Sequence, residues 1–505
     1  MREKFTPPIM PDDSSTPALL SPAEERFEYW RSRAGFLLGP IVFAALLIFS
    51  LPGLSPQQAK LTAVLALAVI FWLTEAIPMA ATSLLAPALC VPLGIAPQKE
   101  VFALFASPII FLFMGSFFLA EAMRLHGLDR RMALWVLTRP GVTRSPATLF
   151  GALGAMTALL SMWMSNAGTT AMMLPIAMGV LATCPGLADK PRARCNLVLL
   201  IAFAASVGGL GTPVGTPPNL IAIAAVRNYG VDVSFVEWMR AGVPLVVLLT
   251  VFLLWRMRPR GLPFENREAL AAHLDGQRRA LGPLTAGERN TGILFASAAL
   301  LWMYPGLVEV IFGEQLYGAA WIKARLPEET VGLLCGLMLF LLPVKLSDWK
   351  FTLTWREAVR IDWGTIFLFA GGLSLGGLIT STGLDKAMGA GIQSLLGQPG
   401  IWALIAVGIV VCILLSEAAS NTASATVMAP ILLGVAHAGG LPLVPVAIAT
   451  GMACSFGFML PVSTGPNAQA YATGHVPLPR MFKAGIALDL VGAAAIFGVI
   501  WIIYR

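Results

Sequence analysis

Apolar runs of about twenty residues recur along the whole chain, and short polar or charged stretches separate them. A run of this length crosses the hydrocarbon core of a bilayer as an α-helix. Alternating segments of about ten residues, typical of membrane β-barrels, do not recur. The pattern predicts eleven spanning helices, near residues 35–52, 59–76, 79–96, 105–126, 197–226, 240–256, 290–312, 328–345, 363–382, 442–473 and 483–504.

Two further apolar stretches, 147–184 and 400–437, are each long enough for two short helices and carry a Ser-Asn pair near the middle. Ser and Asn favour helix N-termini over helix interiors, because their side chains compete for backbone hydrogen bonds. We therefore expect two re-entrant hairpins, with Ser165-Asn166 and Ser420-Asn421 at their tips. The alternative is two ordinary spans, each with a buried polar turn.

The composition agrees with an all-α integral membrane protein. The 505 residues are 57% hydrophobic and 12% charged, whereas soluble domains carry roughly 25% charged residues. The net charge of +7 does not indicate a nucleic-acid partner, because the basic residues lie between apolar segments, as orientation signals do. The six cysteines are scattered without a C-x-x-C motif and are interpreted as buried free thiols. No signal peptide is visible in residues 1–34.

The Lys and Arg residues predict the orientation. With the N-terminus in the cytoplasm, about 26 of the 34 Lys and Arg residues fall on the cytoplasmic side. They include Arg2 and Lys4, the linker Arg256–Arg289 and the stretch Lys345–Arg360. The prediction is a multi-pass protein of the cell (inner) membrane, with its C-terminus outside.

The sequence also contains an internal repeat. Ile110–Gly115 (IFLFMG) matches Ile366–Gly371 (IFLFAG), and Gly-Leu-Asp, Pro-Val-x-Thr-x-Pro-Asn and the Ser-Asn motif recur in the same order. Each copy holds five predicted spans, and an odd number requires the second copy to be inverted in the membrane. The predicted parts are a cytoplasmic arm, an extra first helix, the first repeat, a cytoplasmic linker and the second repeat, at 1–34, 35–58, 59–256, 257–289 and 290–505.

Two predicted spans are interrupted by dense Gly and Pro, at Gly208–Asn219 and Met459–Asn467. Such segments cannot continue a regular helix, and unwound backbone at membrane depth is tolerated only where it lines a cavity. Inversion would bring both breaks and both hairpin tips together near the middle of the membrane.

The four polar blocks supply hydroxyls, amides, backbone carbonyls and helix N-termini, and they contain no Lys, Arg or His. Helix N-termini and side-chain donors favour an anion, whereas unwound carbonyls and Ser or Asn oxygens favour a hard cation such as sodium. A site that holds both predicts cation-coupled uptake of a small anion such as a carboxylate dianion.

The paired Ser-Asn motifs, the Gly215–Asn219 segment (GTPPN) and Trp72–Pro78 (WLTEAIP) resemble the divalent anion:sodium symporter family, which comprises dicarboxylate, citrate and sulfate carriers. The resemblance covers the chain from about residue 35 to its end. It implies a homodimeric elevator-type transporter with a scaffold and a transport domain, sodium as the coupling ion, no organic cofactor and most often a C4-dicarboxylate substrate (succinate, malate or fumarate).

By position, the resemblance also implies the ligands. One sodium ion would bind Ser161, Ser165, Asn166 and the backbone near Gly215, and a second would bind Ser416, Ala419, Asn421 and Ser463. The substrate carboxylates would meet a set of tip and loop residues, namely Ser165, Asn166, Thr216, Ser420, Asn421, Thr422, Thr464 and Gly465.

One position departs from the family pattern. The first Ser-Asn motif usually ends in Thr, and this chain has Ala167 instead. Losing a charge-assisted hydrogen bond costs roughly 1.5–3 kcal/mol when nothing replaces it. The departure predicts a substrate that is asymmetric, or shaped differently from succinate.

Other functions remain open at this point. A sodium-independent dicarboxylate exchanger and a sulfate or citrate carrier use the same fold. The motifs contain no nucleophile–base pair or metal cluster that would indicate an enzyme, and a closed repeated cavity fits a carrier better than an anion channel. Intramembrane carboxylates are further candidates. Among Glu75, Glu121, Glu417 and Asp489, Glu417 is the strongest because it neighbours the second cation loop, although a structural role in capping the backbone is the alternative.

Overall fold

A computed structural model describes residues 22–49, 51–259, 266–312, 317–396 and 400–505. Most of the predicted N-terminal arm, including Arg2 and Lys4, and residues 260–265 of the predicted linker lie outside the described residues.

The protein is mostly α-helical. The helices up to the linker are α1 Pro22–Ile48, α2 Pro56–Thr74, α3 Met79–Cys90, α4 Gln98–Ala103, α5 Pro108–His126, α6 Leu128–Leu137, α7 Pro146–Ser161, α8 Asn166–Thr183, α9 Pro185–Ala188, α10 Pro191–Gly208, α11 Pro217–Arg227 and α12 Phe235–Met257.

The first two of the remaining helices, α13 and α14, start inside the predicted linker, and the others follow it. They are α13 Arg267–Ala280, α14 Ala286–Phe312, α15 Tyr317–Arg325, α16 Glu328–Met338, α17 Trp355–Ala358, α18 Trp363–Ser381, α19 Leu384–Leu396, α20 Ile401–Ala418, α21 Asn421–Ala438, α22 Leu443–Ala453, α23 Gly465–Ala472 and α24 Leu478–Tyr504.

Within the described ranges, eight helices are long and apolar enough to cross a membrane. Their ranges are Glu28–Ile48, Pro56–Thr74, Gln98–His126, Phe235–Met257, Ala286–Glu309, Trp363–Ser381, Ile401–Ala418 and Leu478–Tyr504. The helices α3, α7 and α22 are apolar but shorter. The count of eleven spans stays a prediction.

Two predicted spans are each divided in the structure. The segment 197–226 consists of α10 and α11 with a non-helical stretch between Gly208 and Pro217, and 442–473 consists of α22 and α23 with a similar stretch after Ala453. These breaks coincide with the Gly- and Pro-rich blocks, as the sequence predicted.

The segment at 328–345 differs from the predicted span. The helix α16 ends at Met338, and Pro343–Lys345 (β1) pairs antiparallel with Lys350–Phe351 (β2). Pro343 cannot donate the backbone hydrogen bond that a continuing helix would require. This short ribbon is a detail that the all-α prediction did not include.

The two Gly-Leu-Asp blocks adopt the same local structure. Gly127 ends α5 and Gly383 follows α18, both with φ of +69°. Glycine adopts this left-handed conformation without steric cost, which lets each long helix turn into a short one. The aspartates of the two blocks, Asp129 and Asp385, are both buried.

Two helices form the centre of the molecule. In α10 every residue from Leu197 to Gly208 is buried, and this helix packs against α7, α8, α12 and α23. The helix α21 packs against α11, α18, α19, α20 and α22. By contrast α1, α12, α14 and α20 expose apolar side chains, including Leu37, Val247, Leu300 and Leu414. Such faces are typical of helices in contact with lipid.

The helices α5 and α16 approach closely through glycines. A β-carbon on Gly115 would overlap the carbonyl oxygen of Gly332, and one on Gly336 would lie 2.9 Å from the Gly115 carbonyl oxygen. Small residues at such a crossing allow helix backbones to touch, which favours helix packing in membranes.

Candidate functional site

The first Ser-Asn pair lies at the start of a helix. After α7 ends at Ser161, a short turn leads to Ser165, which is the N-cap of α8. The Ser165 hydroxyl accepts a hydrogen bond from the Gly168 amide at 3.2 Å, and the Ser161 hydroxyl donates to the Asn166 amide oxygen at 2.9 Å. The turn thus places side-chain oxygens next to the free N–H groups of a helix N-terminus.

The broken helix of the first half packs onto this turn. The Thr212 hydroxyl donates to the Met162 carbonyl at 2.5 Å. The Asn219 side chain donates to the carbonyls of Gly209 and Thr212, at 2.9 and 2.8 Å. A β-carbon on Gly215 would lie 2.9 Å from the Met162 carbonyl oxygen. The close approach explains the glycines of this block, because larger side chains would push the loop away from the turn.

The second pair has the same arrangement. The helix α20 ends at Ala418, and Ser420 is the N-cap of α21 and accepts a hydrogen bond from the Ala423 amide at 3.2 Å. The Ser416 hydroxyl lies 2.7 Å from the Asn421 amide oxygen and 2.8 Å from the Cys454 carbonyl oxygen, and it can donate to either. In addition, the Asn421 side chain donates to the Ser455 carbonyl at 3.1 Å.

The hydrogen bonds of the second loop repeat those of the first. The Asn467 side chain donates to the carbonyls ten and seven residues before it, Gly457 and Leu460, both at 2.9 Å. Asn219 makes bonds with the same two spacings. In both residues the amide oxygen is buried without a hydrogen-bond partner. At corresponding places of the two loops there is therefore a buried acceptor that the described residues do not satisfy.

The two halves meet crosswise. The helix α8 of the first half packs against α23 of the second, and α21 of the second packs against α11 of the first. At the first of these contacts the Gln469 side chain donates to the Ala167 carbonyl at 3.2 Å. All four helices begin at the polar blocks. The Thr464 side chain caps α23 by accepting a hydrogen bond from the backbone N–H of Asn467 at 3.3 Å.

Exposure separates the predicted ligands into two groups. Most side chains assigned to the substrate are at least partly exposed, namely Ser165, Asn166, Ser420, Asn421, Thr422, Thr464 and Gly465, whereas Thr216 is buried. The residues assigned to sodium alone are buried, namely Ser161, Gly215, Ser416, Ala419 and Ser463. Most of the predicted substrate donors thus reach water, whereas the residues assigned to sodium alone are shielded from it, which suits a dehydrated cation.

Glu417 organises the second loop. One of its carboxylate oxygens accepts hydrogen bonds from the backbone amides of Phe458 and Met459, at 2.5 and 2.9 Å. The other accepts from the Ser463 hydroxyl at 2.9 Å, and Asp489 of α24 lies beside Glu417. These contacts match the structural role of capping the backbone, and they also place a carboxylate beside a predicted sodium ligand. The corresponding residue of the first half is Met162, so the two halves differ in charge.

Sequence reasoning missed Arg31. A cavity of about 240 Å³ adjoins the second tip and is lined by Arg31 and Glu75 together with Glu417, Ala419 and Ser463. The Arg31 guanidinium donates to the Ala418 carbonyl at 3.3 Å and pairs with Glu28 and Glu75, at 2.5 and 3.4 Å. No local pattern signals these contacts, because they join elements almost 390 residues apart.

A sequence model of the family described as "Sodium:sulfate symporter transmembrane region" matches residues 34–504. The chain belongs to this family. The resemblance seen in the Ser-Asn motifs is thereby confirmed. Members of the sodium:sulfate symporter family are membrane transporters, so the protein is a transporter and not an enzyme.

Relatives of similar length support this membership. The "Sodium-dependent dicarboxylate transporter SdcS" of Staphylococcus saprophyticus is 33% identical over 482 residues, which cover 92% of this chain and 90% of the relative. SdcS of Staphylococcus aureus strain USA300 is 33% identical over 486 residues, with the same coverage. An "Uncharacterized transporter" of Haemophilus influenzae is 32% identical over 459 residues, covering 90% of this chain and 94% of the relative.

Solved structures share the fold. The YdaH transporter of Alcanivorax borkumensis superposes with a TM-score of 0.52 at 13% identity, covering 94% of this chain and 97% of that one. MtrF of Neisseria gonorrhoeae gives a TM-score of 0.56 at 12% identity, covering 94% and 96%. At such low identity the likeness concerns the fold alone.

Proposed function

We propose that the protein is a secondary active transporter that couples the sodium gradient to uptake of a divalent anion, with a C4-dicarboxylate such as succinate, malate or fumarate as its substrate. One observation carries this proposal. In each half the turn that carries a Ser-Asn pair at a helix N-terminus is hydrogen-bonded to an unwound loop, through Thr212 and Met162 in the first half and through Asn421 and Ser455 in the second, so anion donors and cation acceptors lie side by side. The names of the SdcS relatives support both sodium and a dicarboxylate.

Sodium would bind among oxygens of the turns and loops, of which some are buried and some partly exposed. In the first half these belong to Ser161, Ser165, Asn166 and the backbone near Gly215, and in the second half to Ser416, Ala419, Asn421 and Ser463. The Ser161 hydroxyl oxygen lies 2.9 Å from the Asn166 amide oxygen, and the Ser416 hydroxyl oxygen lies 2.7 Å from the Asn421 amide oxygen. In each case the two oxygens are close enough to share one cation. Bound sodium would then supply the positive charge that the blocks lack.

The dicarboxylate would bind on the exposed side of the same residues. One carboxylate would meet Ser165-Asn166, and the other would meet Ser420, Asn421 and Thr422. Thr216, Thr464 and Gly465 would close the site between them. Because the donors are neutral, the anion would bind well only after the cations, which couples the two fluxes without a basic side chain.

The proposed architecture is the one that the sequence predicted. Residues 59–256 and 290–505 form two inverted repeats, and 147–184 and 400–437 form re-entrant hairpins. A homodimer in the inner membrane moves its transport domains as elevators, with the N-terminus in the cytoplasm and the C-terminus outside. The matching bonds of Asn219 and Asn467, and the crosswise packing of the helices that carry the motifs, support the repeat.

Uptake of labelled succinate into proteoliposomes tests the proposal. An inward sodium gradient should drive accumulation above the equilibrium level, whereas an equal potassium gradient should not. If succinate counterflow did not depend on sodium, the protein would be an exchanger and the symport proposal would be wrong. If the protein took up sulfate or citrate but no C4-dicarboxylate, the proposed substrate would be wrong and the transported anion would be sulfate or citrate.

A further inference from the structure

A second cavity lies away from the Ser-Asn tips and is strongly basic. It has a volume of about 700 Å³ and lies where the start of α10, the end of α12 and the start of α24 come together. Six basic side chains line it, two from each of these segments: Lys190, Arg192, Arg256, Arg258, Arg480 and Lys483.

These charges are not neutralised by the described part of the chain. Nine salt bridges join described residues, and none of them includes any of the six. Five of the six side chains are exposed, and Arg480 is half-buried next to Cys195. Six like charges around one hollow repel one another, so an anion in the hollow would be held strongly.

An apolar stripe leads away from the cavity. Val247, Val251 and Trp255 follow one another at intervals of one helical turn on α12, and more than half of each side chain is exposed. The stripe ends beside Arg256, and Phe482 on α24 is exposed next to Lys483. A basic hollow at the end of a helix that also exposes an apolar stripe matches a molecule with an anionic head and apolar chains.

The cavity is separate from the proposed transport site. Cys195 lines the cavity, and Gly208 begins the unwound loop at the other end of the same helix. Thirteen residues of α-helix between them correspond to about 20 Å. Orientation signals alone would explain basic residues at these helix ends, but they do not require six charges from three segments to surround one hollow.

We propose that this cavity binds the phosphate group of an anionic phospholipid, whose acyl chains lie along the exposed stripe of α12. Basic pockets between spanning helices on the cytoplasmic side are suited to such head groups. The distribution of Lys and Arg predicts that this end of the helices faces the cytoplasm. The occupant is a membrane lipid and not a soluble phosphate, because only a lipid uses both the charge and the apolar stripe.

Native mass spectrometry of the purified, delipidated full chain tests this site. Phosphatidylglycerol should bind as one or a few retained molecules, and zwitterionic phosphatidylcholine should not. The double variant Arg256→Gln/Lys483→Gln should weaken phosphatidylglycerol binding about 25-fold, from about fivefold for each charge removed near an anionic lipid. The variant Arg256→Lys/Lys483→Arg, which keeps both charges, should bind like the wild type.

A matched control separates the cavity from general surface charge. Arg289→Gln/Lys350→Gln removes one Arg and one Lys that are exposed, lie outside the cavity and are predicted to face the same side. This variant should keep wild-type binding. Equal losses in both double variants would overturn the proposal, and so would equal retention of the two lipids. Displacement of the lipid by millimolar inorganic phosphate would indicate a soluble-anion site and overturn the lipid assignment.

Discussion

Gly465 lies against Ala167, so that a β-carbon on Gly465 would be 3.1 Å from the Ala167 β-carbon. Position 167, where the family usually has threonine, therefore lies at the contact between the two halves. Ala167→Thr should restore a donor for one carboxylate and lower the half-saturating succinate concentration about tenfold. This factor corresponds to about 1.5 kcal/mol, the lower end of the free energy of a charge-assisted hydrogen bond. Competition of unlabelled succinate, malate, fumarate, sulfate and citrate against labelled substrate measures the change in substrate preference. An unchanged order of preference would show that Ala167 does not determine the substrate.

Asn421→Ala should abolish transport. Its amide oxygen lies 2.7 Å from the Ser416 hydroxyl and its amide nitrogen donates to the Ser455 carbonyl. The change therefore removes a proposed substrate donor and a proposed cation ligand together. Uptake in proteoliposomes should fall to background while the protein elutes as a folded species. Asn228→Ala, at the end of α11 and outside the motifs, should retain uptake. Near-normal transport by Asn421→Ala would refute the placement of the site.

Glu417→Gln should raise the sodium concentration needed for half-maximal uptake by about fivefold or more, because it removes a negative charge next to the predicted sodium ligand Ser463. The glutamine keeps an oxygen for the amides of Phe458 and Met459, so the loop should stay folded. Glu121→Gln is the control, since Glu121 pairs with Arg124 on its own helix. If both variants show the same sodium dependence, Glu417 has only its structural role.

Gly115→Ala should destabilise the protein. Its methyl group would overlap the Gly332 carbonyl oxygen, and overpacking of a tight contact costs about 1–3 kcal/mol. The thermal unfolding midpoint in detergent should fall by several degrees. Gly151→Ala makes the same change within α7, where a β-carbon meets no atom within 4 Å, and it should leave the midpoint unchanged or raise it. A normal midpoint for Gly115→Ala would show that α5 and α16 can separate without cost.

The positions of the helix ends at the site were predictable from the sequence. Ser165 and Ser420 are N-caps in the structure, because Ser beside Asn has a strong local preference for that position. The breaks near Gly208 and Met459 were predictable for a similar reason, since Gly and Pro act on the backbone directly.

The contacts between distant segments were not predictable. Nothing in the sequence near Glu417 indicates that its carboxylate binds the amides of Phe458 and Met459, or that Arg31 reaches the Ala418 carbonyl. The short ribbon at Pro343 was missed because the apolar pattern continues through it. In each case tertiary packing, and not local preference, decides the outcome.

The contact of Arg31 with Ala418 has a kinetic consequence. The helix that carries Arg31, α1, lies outside the predicted repeat and contacts the second tip, and Arg31 also pairs with Glu28 on α1 and with Glu75 at the end of α2. The first tip instead contacts Gln469 of the second half. Two tips that are alike in sequence are thus held by different neighbours, so we expect the Arg31 contact to add to the barrier for moving the second tip and to slow the step in which the loaded carrier changes sides.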